Sequence, residues 1–114
     1  MIPVSDLPAI VLANEPRAYR QALAAAMRAG RHGIQVITVD AEDLDAAMER
    51  HRPVLVVCGA VTPAVEKGAP VWVLLYPDGV RLVVTSVHGV RSYAADISLE
   101  ALGGLVDQAL VGHT

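Results

Sequence analysis

Four short apolar runs, separated by segments with a helical pattern, constrain the fold of this chain more than any other feature. The runs are Ala9–Ala13, Ile34–Val39, Val54–Cys58 and Val71–Tyr76. Their content of Val, Ile and Leu is typical of strands that are covered on both faces of a sheet. Strands that alternate with helices along a chain usually pair in parallel. The order therefore predicts an α/β domain with helices on both faces of its sheet.

The segment after the first run carries apolar residues at the spacing of a helix face. The predicted helix follows Asn14, a residue type that favours the N-cap position. Its inner face is expected to contain Tyr19, Leu23, Ala26 and Met27. Its outer face is expected to contain Arg17, Arg20, Ala24 and Arg28.

Two further helices are predicted from similar signals. Asp40 is expected to cap the helix Glu42–Arg50, and Ser98 is expected to cap the last helix, Leu99–Leu110. The segment 59–68 has room for one helical turn, because it contains a proline and ends in glycine.

The stretch after Tyr76 departs from this alternation. The sequence Pro-Asp-Gly at 77–79 predicts a tight turn, and Val80–Val87 is another strand-like run. A parallel crossover needs about a dozen residues, so this run must pair antiparallel with its predecessor. A second turn at His88-Gly89 then leads into an extended segment, Val90–Tyr93.

Composition narrows the classes of function. The chain has 114 residues, which fits one domain with a core at about 8–111, and 54% of them are hydrophobic. A net charge of −3 disfavours nucleic acid as a partner, because phosphate contacts need a basic surface. The lack of a long apolar stretch or a basic leader argues against a membrane partner and favours a cytoplasmic location.

Metal and cofactor sites are not expected from the sequence. The histidines at 32, 51, 88 and 113 show no ligand spacing, and one cysteine provides no zinc framework. Neither a dinucleotide-binding glycine motif nor a P-loop is present.

Over about residues 8–111 the chain resembles the receiver domains of bacterial response regulators. The resemblance rests on the segments VLANE, RPVLVVCG, APVWVLLY and ISLEAL. It implies a three-layer, flavodoxin-like sandwich with a mostly parallel five-stranded sheet in the order 2-1-3-4-5. In this chain an antiparallel hairpin is expected to replace the fourth helix. The functional site of such a sheet lies at the carboxyl ends of its strands.

The resemblance also implies a phosphate site, most of which this sequence lacks. Receivers use a carboxylate after strand three as the phosphoryl acceptor, two acidic residues after strand one to hold Mg²⁺, a hydroxyl residue after strand four and a lysine after strand five. The corresponding positions here are Asn14 and Glu15, Gly59 beside Cys58, Leu75, and the segment 93–97, which contains no lysine. The resemblance thus implies a pseudo-receiver, a non-catalytic regulatory or protein-interaction domain.

Two other functions stay open. A small ligand could bind in a crevice formed by Asn14, Glu15, Asp40, Cys58 and Gly59, since ligands of such sheets bind at the carboxyl ends of the strands. Alternatively, Cys58 could be the nucleophile of a thiol-based enzyme. Helix capping and core packing are the simpler roles for these residues.

The segment 71–93 is the candidate interaction surface. If a hairpin replaces the fourth helix, one face of this segment has no cover within the chain. Its apolar side chains include Trp72, Leu74, Leu82 and Val84. Because large exposed apolar patches mark interfaces, we expect a homodimer or a protein partner to bind through this segment and the last helix.

Overall fold

The strands follow the apolar runs of the sequence. A computed structural model describes residues 6–29 and 31–111. Its six strands are β1 (Ala9–Ala13), β2 (Gln35–Thr38), β3 (Leu55–Cys58), β4 (Val71–Leu75), β5 (Val83–Val87) and β6 (Val90–Ala94). β1 coincides with its predicted run, and the other three runs were each predicted one or two residues too long.

All six strands form one mixed sheet in the order β2-β1-β3-β4-β5-β6. β1 pairs in parallel with β2 and β3, and β3 pairs in parallel with β4. β5 is antiparallel to β4, and β6 is antiparallel to β5. The α/β class and the antiparallel hairpin are therefore confirmed. The prediction of a mostly parallel, five-stranded sheet is wrong, because β6 is an additional strand and the second half of the sheet is antiparallel.

The tight connection between β5 and β6 explains the additional strand. Only His88 and Gly89 separate the paired residues Val87 and Val90, and both have left-handed φ angles, 49° and 86°. Two successive left-handed residues form the turn that matches the twist of a two-stranded hairpin. The chain therefore reverses at once, and Val90–Ala94 pairs along the whole of β5.

Helices cover the two faces of the sheet in pairs. They are α1 (Arg17–Arg28), α2 (Leu44–His51, after a 3₁₀ turn), α3 (Pro63–Gly68) and α4 (Leu99–Val111). Side chains of α1 and α4 share a core with alternate strand residues such as Ile10, whereas α2 and α3 pack on the opposite set, which includes Val11. The arrangement is compatible with a three-layer α/β sandwich. In the part of the chain that the structure describes, no helix is long and apolar enough to cross a membrane.

Two of the predicted caps are wrong and one is confirmed. Asn14 lies three residues before α1 and does not cap it, and the side chain of Asp40 makes no cap hydrogen bond either. Ser98 caps α4, because its hydroxyl accepts a hydrogen bond from the Ala101 amide at 3.0 Å. The third helix, α3, is capped by Thr62, whose hydroxyl accepts from the Val65 amide.

The predicted outer face of α1 is also partly wrong. Arg20 and Ala24 are buried, at 3% and 1% exposure, together with Leu23 and Met27. The helix therefore buries a wider face than the apolar stripe alone predicts. Ala24 is small enough to lie against the sheet, and Arg20 is buried because it meets acidic partners.

Candidate functional site

A cavity of about 690 Å³ opens at the carboxyl ends of β1, β3 and β4. Its lining includes Ala13, Cys58 and Leu75, the last residues of these three strands. The chain passes to opposite sides of β1 when it forms β2 and β3, so the switch point of the sheet lies beside β1. Open α/β sheets bind their ligands at such a switch point, outside the carboxyl ends of the strands.

The polar lining comes from the loops that follow the three strands and from α1. Glu15 follows β1, Thr62 follows β3, and Tyr76 and Asp78 follow β4, while Tyr19 projects from α1. The lining is otherwise mainly small or aliphatic. A mostly apolar cavity with a few polar groups is typical of a small-molecule site.

The structure brings together three of the five residues predicted to form a ligand crevice. Glu15, Cys58 and Gly59 line the cavity. Asn14 and Asp40 are not lining residues. The Asn14 side chain is fully buried, and neither of its polar atoms has a hydrogen-bond partner within the described chain.

Arg20 contacts the acidic residues that follow β1 and β2. Its Nη2 donates to Asp40 Oδ1 at 3.0 Å, and its Nη1 lies 3.5 Å from Glu15 Oε1. Because β1 and β2 are parallel neighbours, acids that follow them meet at one edge of the sheet, and the buried guanidinium pairs with both. The sequence shows an arginine in the first turn of α1 and an acidic residue after each of β1 and β2. Helical periodicity nevertheless predicts that Arg20 lies on the outer face of the helix.

The environment of Cys58 does not suit a nucleophile. The thiol is 1% exposed, and its Sγ lies 3.7 Å from the carbonyl oxygen of Val73. Burial raises the pKa of Cys58 to about 12. Since the thiolate is the reactive form, a neutral and buried thiol argues against the thiol-enzyme alternative.

Tyr19 and Tyr76 bring two aromatic rings to the cavity. Burial, and then the proximity of Tyr76, raises the pKa of Tyr19, so its phenol is neutral at physiological pH. The hydroxyl of Tyr76 donates to Asp96 at 3.5 Å, and Asp96 is paired with Arg81. That hydrogen bond and ion pair lower the pKa of Asp96, with the Arg81 hydrogen bond as the larger cause. Tyr76 was not predicted as a site residue, because it ends an apolar run.

Because β5 is antiparallel to β4, its carboxyl end does not lie beside the cavity, where a receiver has the lysine that follows its fifth strand. Val83 pairs with Leu75 beside the cavity, whereas Val87, the carboxyl end of β5, pairs with Val71 at the far edge. The segment 93–97 instead contains the last two residues of β6 and the three that follow, and β6 is not paired with β4 in the sheet. This segment therefore does not take the place that the fifth strand end holds in a receiver.

The predicted interaction surface is narrower than expected. Trp72 and Val84 are buried, at 3% and 6% exposure, and Leu74 and Leu82 are partly exposed. Arg91 of β6 lies over the Trp72 ring, 5.3 Å from its centroid, and pairs with a glutamate of α3. Residues of β6 and α3 thus cover part of the predicted surface, and the sequence pattern does not indicate these contacts.

Comparison with models of protein families, with curated proteins and with solved structures finds no match for this chain. The resemblance to receivers accordingly stays a prediction. Among the residues that the structure describes, no group of three or more His, Cys, Asp or Glu side chains could hold a metal ion. His113 lies outside those residues.

Proposed function

We propose that this chain is a non-catalytic regulatory domain with a receiver-like fold, and that it operates without phosphorylation. The observation that carries the proposal is the end of β3, where a receiver would present a carboxylate. Gly59 occupies that position and offers no nucleophile, and the adjacent Cys58 is buried. Leu75, at the position of the hydroxyl residue, is buried as well. Phosphoryl transfer to a protein needs an oxygen nucleophile held in line with the donor, and this edge supplies none at that place.

The flavodoxin-like part of the proposal concerns β1 to β4. Their order, their parallel pairing and the helices on both faces support it. The departure begins at β5, where the hairpin replaces the helix and parallel strand that the family implies.

A phosphodonor experiment tests this proposal. The chain is incubated with acetyl phosphate and Mg²⁺, and its intact mass is compared with that of a phosphorylatable receiver domain treated in parallel. We expect the mass of this chain to stay unchanged. The addition of a phosphoryl group would contradict the proposal.

The second candidate function is that of a small-ligand sensor, and the cavity at the switch point favours it. The cavity is large enough for a molecule of metabolite size, since ligand sites commonly enclose about 300–1,000 Å³. Ligand binding there would touch the loops after three strands at once. Such a domain could respond to a metabolite in place of a phosphate.

Gly59 provides a direct test of this second function. A Cβ added at Gly59 meets no atom within 4 Å, so this lining position accepts a side chain, and we expect a phenylalanine there to fill part of the cavity. Gly33 is equally open but lies away from the cavity, and Gly33→Phe is the matched control. In a fragment screen by ligand-observed NMR, we expect Gly59→Phe to lose fragments that the wild type and Gly33→Phe retain. Retention of all fragments by Gly59→Phe would contradict binding in the cavity.

For the protein partner, we propose a second copy of the chain that pairs along β6. All five β6 residues are exposed, including Val90 at 71% and Tyr93 at 67%. Antiparallel pairing centred on Ser92 would place Arg91 opposite Tyr93 of the second copy, and no like charges would face each other. An open edge strand of this kind pairs readily with another strand.

A further inference from the structure

The charged side chains that line the switch-point cavity are all acidic. The carboxylates of Glu15 and Asp78 line it, and no lysine, arginine or histidine is among its described lining residues. Thr62 lines it too, but its hydroxyl donates to Asp45 at 2.6 Å and so presents only lone pairs. The charged lining side chains therefore present negative charge to a bound molecule, and the Thr62 hydroxyl adds an acceptor.

The buried guanidinium of Arg20 does not cancel the negative charge of the lining. Arg20 is almost fully buried, is not a lining residue, and has its Nη2 on Asp40. Its contact with Glu15 is the longer of its two ion pairs, at 3.5 Å, and Glu15 remains 61% exposed. Glu15 is thus free to accept a second cationic partner on its open side.

Two aromatic rings complete the lining. Tyr19 and Tyr76 come from different elements, α1 and the end of β4, and both are partly buried against the core. Tyrosine rings attract cations through their faces, and this attraction strengthens where water is excluded. Aromatic rings combined with carboxylates in an apolar cavity form an environment that stabilises an organic ammonium group and repels phosphate or carboxylate.

We infer that the cavity binds a small organic cation, an ammonium group carried on an apolar or aromatic body. The inference rests on the second proposed function, ligand binding at the switch point, and specifies the chemical class of the ligand. The apolar body would lie against Ala13, Leu44 and Leu75, and the ammonium group between the tyrosine rings and the carboxylates.

Three probes of similar size but different charge test the inference. They are 2-phenylethylammonium, the neutral 2-phenylethanol and the anionic 3-phenylpropionate, titrated into ¹⁵N-labelled chain at pH 7. We expect the cation to bind about tenfold more tightly than the alcohol, and the anion to bind more weakly than either. Gly59→Phe should weaken the binding of the cation, whereas Gly33→Phe should not.

Charge-removing variants locate the interaction. Glu15→Gln and Asp78→Asn should each weaken binding of the cation by about three- to tenfold and leave the alcohol unchanged. Asparagine suits the left-handed backbone of Asp78, whose φ is 52°, so this variant should fold. Glu100→Gln, an exposed carboxylate on α4, is the matched control and should change nothing. Tyr19→Phe should retain binding because it keeps the ring, and Tyr19→Leu should lose it.

The outcomes distinguish selection for a cation from ligand binding at the cavity and from phosphate independence. Equal binding of the cation and the alcohol, both abolished by Gly59→Phe, would overturn selection for a cation and leave ligand binding at the cavity intact. Failure of the cation to bind would overturn the inference as well. Phosphate independence is judged by the intact mass after phosphodonor treatment and is unaffected by either result.

Discussion

Alkylation of Cys58 reports directly on how far the thiol at the end of β3 is buried. The pKa of this thiol is raised to about 12. At pH 8 such a thiol is ionised to roughly one part in 10⁴, whereas an ordinary cysteine with a pKa of about 8.5 is roughly one-quarter ionised. Ionisation alone therefore predicts alkylation about a thousandfold slower, or more, in the folded chain than in the unfolded chain. Burial at 1% exposure slows the reaction further.

The assay is a time course of intact mass with iodoacetamide at pH 8, in buffer and in concentrated urea. The chain contains one cysteine, so each mass increment reports on Cys58 alone. We expect complete modification in urea and almost none in buffer over the same period. Native alkylation within about tenfold of the unfolded rate would refute the reasoning, because the thiol would then be both accessible and ionisable.

The same raised pKa gives the stability of the fold a pH dependence. The folded state favours the neutral thiol, so this contribution is fully present below about pH 8 and is lost as the pH rises toward 12. Cys58→Ala removes the titrating group. Urea midpoints measured from pH 8 to pH 11 should therefore fall more steeply for the wild type than for the variant, and parallel curves would contradict the assignment.

Three further predictions follow from other contacts. Asp40→Ala should destabilise the fold by about 1.5–3 kcal/mol in urea unfolding, because it removes the closest partner of buried Arg20, and Glu15→Ala should have a smaller effect; equal effects would contradict this ranking. Gly104→Ala should stabilise the chain by about 0.5–1 kcal/mol, since an added Cβ there meets open space within α4; a lower urea midpoint would count against it. Light scattering at micromolar concentrations should find dimers of the wild type and monomers of Tyr93→Lys, which places like charges opposite each other in the proposed β6 pairing; a monomeric wild type would remove that pairing.

The sheet was predictable from the sequence because strand formation here depends on local composition. A continuous apolar run such as Ala9–Ala13 identifies a strand that is buried on both faces wherever it lies in the fold. The hairpin was also predictable, since a Pro-Asp-Gly turn leaves too few residues for a crossover. The pairing of β6 as a sixth strand was not, because its five side chains are exposed and show no apolar pattern.

The site was less predictable, because its geometry depends on contacts between distant segments. Asn14 and Asp40 both have the local signature of a helix cap, but the position of α1 and the pairing with Arg20 give them other environments. Tyr76 adopts a left-handed φ of 47°, and nothing in its apolar neighbourhood signals that conformation. Gly59 and Cys58 were placed correctly at the strand end, since a parallel sheet fixes where its carboxyl ends lie.

Two proposals concern the cavity at the carboxyl ends of β1, β3 and β4: that this domain operates without a covalent phosphate, and that a small molecule binds there. Intact mass spectrometry of the chain purified from its own cells, under native and then denaturing conditions, tests both at once. We expect a native mass increased by a small molecule in the wild type and in Gly33→Phe but not in Gly59→Phe, and a denatured mass equal to that of the bare polypeptide. A phosphoryl adduct that survives denaturation, or a bound molecule retained by Gly59→Phe, would contradict the corresponding proposal.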